Sequence, residues 1–285
     1  MSEVVTLPDG RRLGYAVYGD PGGAPVCVFH GTPGSRVGGR LVAAAATERG
    51  VRVIAPDRPG HGLSTFQPGR RIGDWPADVA ALAGALDLGQ FGVVGLSGGG
   101  PYALACAAAI PDRLSGTALV SAVPAPEFRP RGAVERLLAD GFGRAPWLAR
   151  PPLAVAGRLA SEHPTSFGRL VRRGVPPEDR AVLDDSTLAT LADEVAEALR
   201  PGARGVALDA SLLGRRWGVP PDDVTVPVAV HHGTADRSVA LEGARAMADA
   251  IPNVTLSVHE GEGHLSTFLR NAGPVLDAAA GAVDG

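Results

Sequence analysis

Two cysteines in 285 residues, aromatic residues at 5% and the lack of any long apolar run are the scarcities of this sequence. Cys27 and Cys106 each fall inside an apolar stretch, which points to buried free thiols rather than a disulfide. No apolar stretch reaches the roughly 18 residues of a membrane span, and the N-terminal "MSEVVTLPDGRRL" lacks the basic and apolar regions of a signal peptide. The expected location is the cytoplasm, without a membrane partner. An excess of positive charge is missing as well. The formal net charge is -3 and the arginines of "RPRGAVER" and "LVRRG" are scattered, as on solvated faces, so no nucleic-acid partner is expected.

What is present is a globular composition, 45% hydrophobic and 20% charged, long enough for one large α/β domain carrying an insertion. "EVVTL" and "RLGYAVYG" flank the turn signal "PDG" and predict a hairpin. Six further strands are predicted from "APVCVFH", "VRVIAPD", "FGVVGL", "GTALVSAV", "VPVAVHH" and "VTLSVHE". Helices are expected over about residues 39–49, over "WPADVAALAGALDL", after "GLSGGG" and near residues 273–283. Strand, loop and helix in repetition predict a mostly parallel central sheet of about eight strands flanked by helices. The alternation stops between Pro124 and Pro227, a stretch rich in Pro and Arg with helical candidates near residues 133–140, 153–160 and 188–199. The expected organisation is a core of residues 1–123 and 227–285, with residues 124–226 forming a helical cap inserted after the sixth strand.

One serine stands in a nest of glycines in "VVGLSGGGPYALACAAAI". A strand ending in Gly95-Leu96-Ser97-Gly98-Gly99 and running straight into a helix must turn within very few residues, and the glycines leave room for that. Ser97 is then pushed out at the C-terminal edge of the sheet, beside a helix N-terminus that favours developing negative charge. A serine helix cap is the bland alternative. A dinucleotide loop is the other, but "GLSGGG" follows a late strand and lacks the GxGxxG spacing.

A serine nucleophile needs a base and a group to orient it. Of seven histidines, His264 in "EGEGHLS" follows the last predicted strand and so shares the sheet edge with Ser97. His61, His163 and His259 read as surface or satisfied core residues. His231 and His232, adjacent in a strand, point to opposite faces, which argues against a shared metal. The carboxylate is expected at another strand end, and "HHGTADRSV" supplies Asp236; Glu260 and Glu262 read as solvated loop charges.

In chain order these are Ser97, Asp236 and His264. With "HGTPGSR", "DRPGHGLS" and "GLSGGG", the sequence resembles cap-containing serine hydrolases of the α/β-hydrolase superfamily over nearly its whole length. The resemblance implies Ser97 as nucleophile, His264 as general base and Asp236 as its orienter. It also implies an oxyanion hole from the backbone N–H groups of Thr32 and Gly98. His30, Asp57 and Arg58 are expected to brace loops, and the side chains of Ser64, Ser266 and Thr32 to be pocket lining or surface hydroxyls with equal weight. Trp147 and Leu148 are candidates for apolar substrate lining or for cap core.

The expected activity is hydrolysis of a carboxylic ester, thioester or amide of a small molecule through an acyl-serine, with no metal or organic cofactor. Proline-iminopeptidase-like and carbon–carbon bond hydrolases are alternatives. The former would need an acidic cluster for an amine, and Asp193, Glu194 and Glu197 read as one helix face. A ligand-binding protein without turnover is an alternative of another class. The sequence does not decide between a monomer and a homodimer.

Overall fold

A computed structural model describes residues 2–129 and 145–281. The helix expected near residues 133–140 lies outside them. The predicted strands all form: β1 (Ser2–Thr6), β2 (Arg12–Gly19), β3 (Ala24–Phe29), β4 (Val51–Pro56), β5 (Phe91–Leu96), β6 (Leu114–Val120), β7 (Val228–Gly233) and β8 (Val254–His259). They join in one sheet of order β1-β2-β4-β3-β5-β6-β7-β8. Only β2 runs against the others.

The period-2 pattern of the central strands explains why both faces are covered. In β3, Cys27 and Phe29 enter one apolar cluster while Val26 and Val28 enter the other. The first cluster contains α2 (Trp75–Ala85) and α3 (Gly100–Ala109). The second is closed by α1 (Ala43–Glu48) and by a C-terminal helix, Ala272–Ala280. Cys27 and Cys106 are buried free thiols in the first cluster; burial pushes Cys27 up to about 12 and Cys106 well above its usual value.

Between β6 and β7 the described chain is helical. It forms α4 (Arg150–Glu162), α5 (Pro164–Gly174), α6 (Pro177–Arg180), α7 (Asp185–Leu199) and α8 (Arg204–Leu213). The stretches 153–160 and 188–199 fall within α4 and α7; α5, α6 and α8 go beyond the expected helices, although Phe167, Leu170 and Val171 stand at i, i+3 and i+4 along α5. The remaining helices are α9 (Leu241–Asp249), α10 (His264–Arg270) and α11, the C-terminal helix already described. The insertion touches the core at defined places: α7 packs on the 3-10 segment Arg36–Val42, and α6 meets α10. Among the described residues no helix is long and apolar enough to cross a membrane.

Candidate active site

Ser97 follows β5 and opens a 3-10 turn, Ser97–Gly99, that runs into α3. Its φ is +51°, a conformation that L-residues other than Asn and Asp seldom adopt. The turn is pressed onto the end of β3, since a Cβ at position 99 would overlap the Phe29 carbonyl. Only glycine fits there, and the serine is held at the apex.

The loop after β3 lies over this apex. A Cβ on Gly31 would sit 3.5 Å from Ser97 Cβ, and one on Gly98 would sit 2.6 Å from Thr32 Oγ1. Thr32 and Gly98 are therefore neighbours. Among the described residues the Thr32 N–H has no main-chain acceptor, and the Gly98 N–H lies in a first helical turn, where intrahelical partners are lacking. The Thr32–Pro33 peptide is cis.

Arg58, fully buried, holds that loop from beneath. It donates to the carbonyl of His30, to the Gly31 carbonyl at 2.8 Å and to Thr32 Oγ1 at 3.0 Å. Its backbone N–H donates to His30 Nε2 at 3.2 Å. The His30 proton is thereby assigned to Nδ1, which donates to the Gly31 carbonyl at 2.8 Å. His30 and Arg58 are thus loop braces. Asp57 accepts from the Arg36 backbone N–H at 2.6 Å and from Leu63 N–H at 2.9 Å, and braces its own loop.

The guanidinium of Arg58 is itself anchored by α8. Its Nε donates to Asp209 Oδ2 at 2.7 Å, and Asp209 also accepts from Tyr102 at 2.7 Å and from Arg70. Burial pushes the Asp209 carboxyl up, but Arg58 and Arg70 more than reverse this and hold it well below the carboxylate range. Removing one partner from such a buried network typically costs roughly 3–5 kcal/mol, so α8 is tied firmly to the core. His61 is a core histidine: fully buried with Nε2 3.6 Å from Asp209 Oδ2, it is pushed down by burial to about 4 although Asp209 pulls it up.

The acids of α7 share one face, as expected, but that face lies on the core. Glu197 pairs with Arg36 at 2.8 Å and Asp193 with Arg40 at 2.9 Å. Glu194 is buried against Gly34 and Gly38. One carboxyl oxygen is 3.4 Å from the Ser35 N–H, and its carbonyl accepts from Ser35 Oγ at 3.0 Å. Burial pushes its carboxyl up to about 7, opposed by the Ser35 N–H and Arg58 and reinforced by Asp57.

A raised carboxyl pKa makes folding take up a proton, so this group lowers stability as pH rises from the unfolded value of 4.5 through about 7. Over that window the loss is on the order of 3 kcal/mol. Glu194→Gln is neutral throughout. In urea unfolding at about pH 5 and about pH 8, the glutamine variant should lose less stability between the two than the parent. Equal losses would show that Glu194 does not titrate in this range.

His264 and Asp236 come together from two strand ends. Asp236 follows β7 and His264 follows β8, with His264 Nδ1 2.8 Å from Asp236 Oδ2. His264 opens α10 rather than lying in a loop. The other oxygen of Asp236 accepts from the Ser238 N–H at 2.8 Å and the Val239 N–H at 2.9 Å. Burial pushes the Asp236 carboxyl up, and the bonds from His264, Val239 and Ser238 bring it below its ordinary value. With Nδ1 donating to the aspartate, His264 Nε2 remains as an acceptor. It lies on the sheet edge that also carries Ser97.

The other strand-end histidines are occupied. His231 contacts His259 at 3.1 Å with the rings stacked, while His232 donates to the Val239 carbonyl at 3.0 Å. Ser64 and Ser266 are buried and structural: Ser64 donates to the Asp57 carbonyl at 2.7 Å and Ser266 to Asp179 at 3.0 Å. Glu262 accepts from Asn271 at 2.7 Å, and Glu260 is exposed.

A cavity of about 470 Å³ opens beside Thr32 and Pro33, walled by Pro152, Leu153, Val206 and Leu213. Leu213 also approaches Gly98, whose Cβ would lie 3.1 Å from Leu213 Cδ1. Trp147 and Leu148 are not among its walls; they are 61% and 49% exposed in the turn Pro146–Ala149, and Ala149 lines the cavity in their place. In this 3-10 turn the adjacent Trp147 and Leu148 both face outward, an orientation set by packing rather than by the local sequence.

The chain is similar to known proteins in sequence and in fold. A non-heme chloroperoxidase of Streptomyces lividans is 42% identical over 123 residues, which is 42% of this chain and 44% of that one, less than half of its length. An alpha/beta hydrolase fold protein from Nakamurella multipartita superposes with a TM-score of 0.71 at 28% identity over 98% of both chains. A thermophilic esterase from Thermogutta terrifontis does so with a TM-score of 0.69 at 26% identity, over 98% of this chain and 96% of that one. The sequence pattern of the alpha/beta hydrolase fold matches residues 24–270, from the start of β3 to the end of α10, and with the sheet order it establishes that the chain belongs to that family.

Proposed function

We propose that this α/β hydrolase cleaves a carboxylic ester of a small molecule through an acyl-Ser97 intermediate, with the insertion serving as a cap over the site. The observation that carries this reading is the strained Ser97 apex on the same sheet edge as the Asp236–His264 pair. In the first half-reaction His264 Nε2 takes the Ser97 proton while Oγ attacks the carbonyl carbon. The N–H groups of Thr32 and Gly98 then receive the developing oxyanion. The tetrahedral adduct collapses, the alcohol leaves with the proton from His264, and the acyl group stays on Ser97. Water, deprotonated by His264, releases the acid and restores the serine.

The cavity beside Thr32 and Pro33 is walled mainly by apolar side chains, which suits an apolar acyl or alcohol group. The esterase name of the Thermogutta terrifontis neighbour agrees with ester cleavage. The chloroperoxidase name of the Streptomyces lividans relative favours a second reading, peroxide-dependent chlorination, to be assayed alongside.

A fluorophosphonate probe, intact-mass analysis and a panel of aryl esters of increasing acyl length test the proposal. Stoichiometric labelling at Ser97 with ester turnover supports it. A folded protein that neither labels at Ser97 nor turns over any ester, thioester or amide would be a ligand-binding member of the fold instead.

A further inference from the structure

The helix that carries His264 begins without a capping side chain of its own. Gly263 precedes it, so the first N–H groups of α10 need an outside acceptor. Asp179 on α6 supplies one. Its Oδ2 accepts from the His264 N–H at 3.1 Å; its Oδ1 accepts from the N–H groups of Leu265 and Ser266 at 2.9 Å each and from Ser266 Oγ at 3.0 Å. One carboxylate, 1% exposed, thus takes four donors from a segment that begins 85 residues further along the chain. The space for it exists because residue 263 is glycine: a Cβ there would lie 2.5–2.8 Å from the atoms of the Asp179 carboxyl group. His264 is consequently held twice, its ring by Asp236 and its main chain by Asp179.

We propose that Asp179 is a positioning residue for His264, fixing the main chain from which the imidazole projects so that the ring meets both Asp236 and Ser97. Proton transfer depends on placement at this level, because a misplacement of about 1 Å can cost on the order of 100-fold in rate. The inference rests on the reading of His264 as the general base. It makes the insertion a working part of the site as well as its cover.

Two variants test it by different routes. Asp179→Asn keeps the size and the Oδ1 contacts but sets an amide NH₂ against the His264 N–H. Gly263→Ala displaces the Asp179 carboxylate without changing its chemistry, and the extended backbone at position 263 (φ −93°) accepts alanine. With aryl esters, at a temperature where each variant is folded by circular dichroism, kcat should fall roughly 10- to 100-fold with KM within about twofold of the parent. In a His264→Ala background Asp179→Asn should cost nothing further. Parental kcat in both variants, or an equal cost with and without His264, would overturn the proposal; if Asp179→Asn does not fold, Gly263→Ala decides alone. Failure of the underlying reading looks different, because His264→Ala would then itself keep parental turnover.

Discussion

Ser97→Ala should abolish ester turnover, with kcat down by as much as about 10⁶-fold, while leaving the fold intact. In the proposed mechanism the loss is that large because the hydroxyl oxygen is the atom that bonds to the substrate carbon, and without it Thr32 and Gly98 would retain only their ability to polarise a carbonyl. Stability should barely change. Ser97 is at the apex of an elbow, and removing its oxygen leaves no cavity in either apolar cluster. Alanine and serine also carry similar strain at φ +51°, so the elbow has no reason to relax. The checks are kcat on an aryl ester, loss of fluorophosphonate labelling and a thermal midpoint close to the parent's. Parental turnover by the purified variant would remove Ser97 from the mechanism.

The elbow was readable in the sequence because its constraint is local. Glycines within two residues of a serine, between an apolar run and an alanine-rich run, leave few conformations. The strands were readable for a related reason: the pattern Val26-Cys27-Val28-Phe29 commits alternate residues to opposite faces, and both faces must be covered. The sequence sets His264 after the last strand but in a loop; the structure has it opening a helix, which is capped from 85 residues upstream with no neighbour in sequence to mark its start.

Buried charge was the least legible feature. Asp209 is 151 residues from Arg58, and nothing near "ALDASLL" distinguishes a core anchor from a solvated helix acid. Glu194 and Glu197 fall on one helix face, as their spacing requires, yet that face is covered by residues 34–38. The common thread is that the acids of the insertion are placed where core loops need an acceptor. Asp209 holds the Arg58 that carries the Thr32 loop, the Glu194 carboxyl accepts from the Ser35 N–H, and Asp179 caps the His264 helix. Such pairings are decided by tertiary contact rather than by local pattern, because burying a carboxylate alone is prohibitively costly.

Asp236→Asn should lower kcat by about 10⁴-fold, by analogy with the same change in a serine-protease triad. The geometry says why so small a change costs so much. Oδ1 of Asp236 accepts from the N–H groups of Ser238 and Val239, so an asparagine would keep its carbonyl oxygen there and turn its NH₂ towards His264. Nδ1 of His264, now 2.8 Å from Oδ2, would face a donor and would have to act as an acceptor. The ring proton then moves to Nε2, the position that in the proposed mechanism is empty to receive the Ser97 proton. The shape survives and the tautomer is wrong. Two other acids lie closer to His264 in the chain, but Glu262 is engaged by Asn271 at 2.7 Å and Glu260 is exposed. Glu260→Gln and Glu262→Gln should therefore each change kcat by less than about tenfold, since neither is bonded to the His264 ring. The three variants should be compared on one ester and at one pH. A glutamine variant as damaging as Asp236→Asn would mean that the orienting acid had been assigned to the wrong strand end, while leaving the roles of Ser97 and His264 in place.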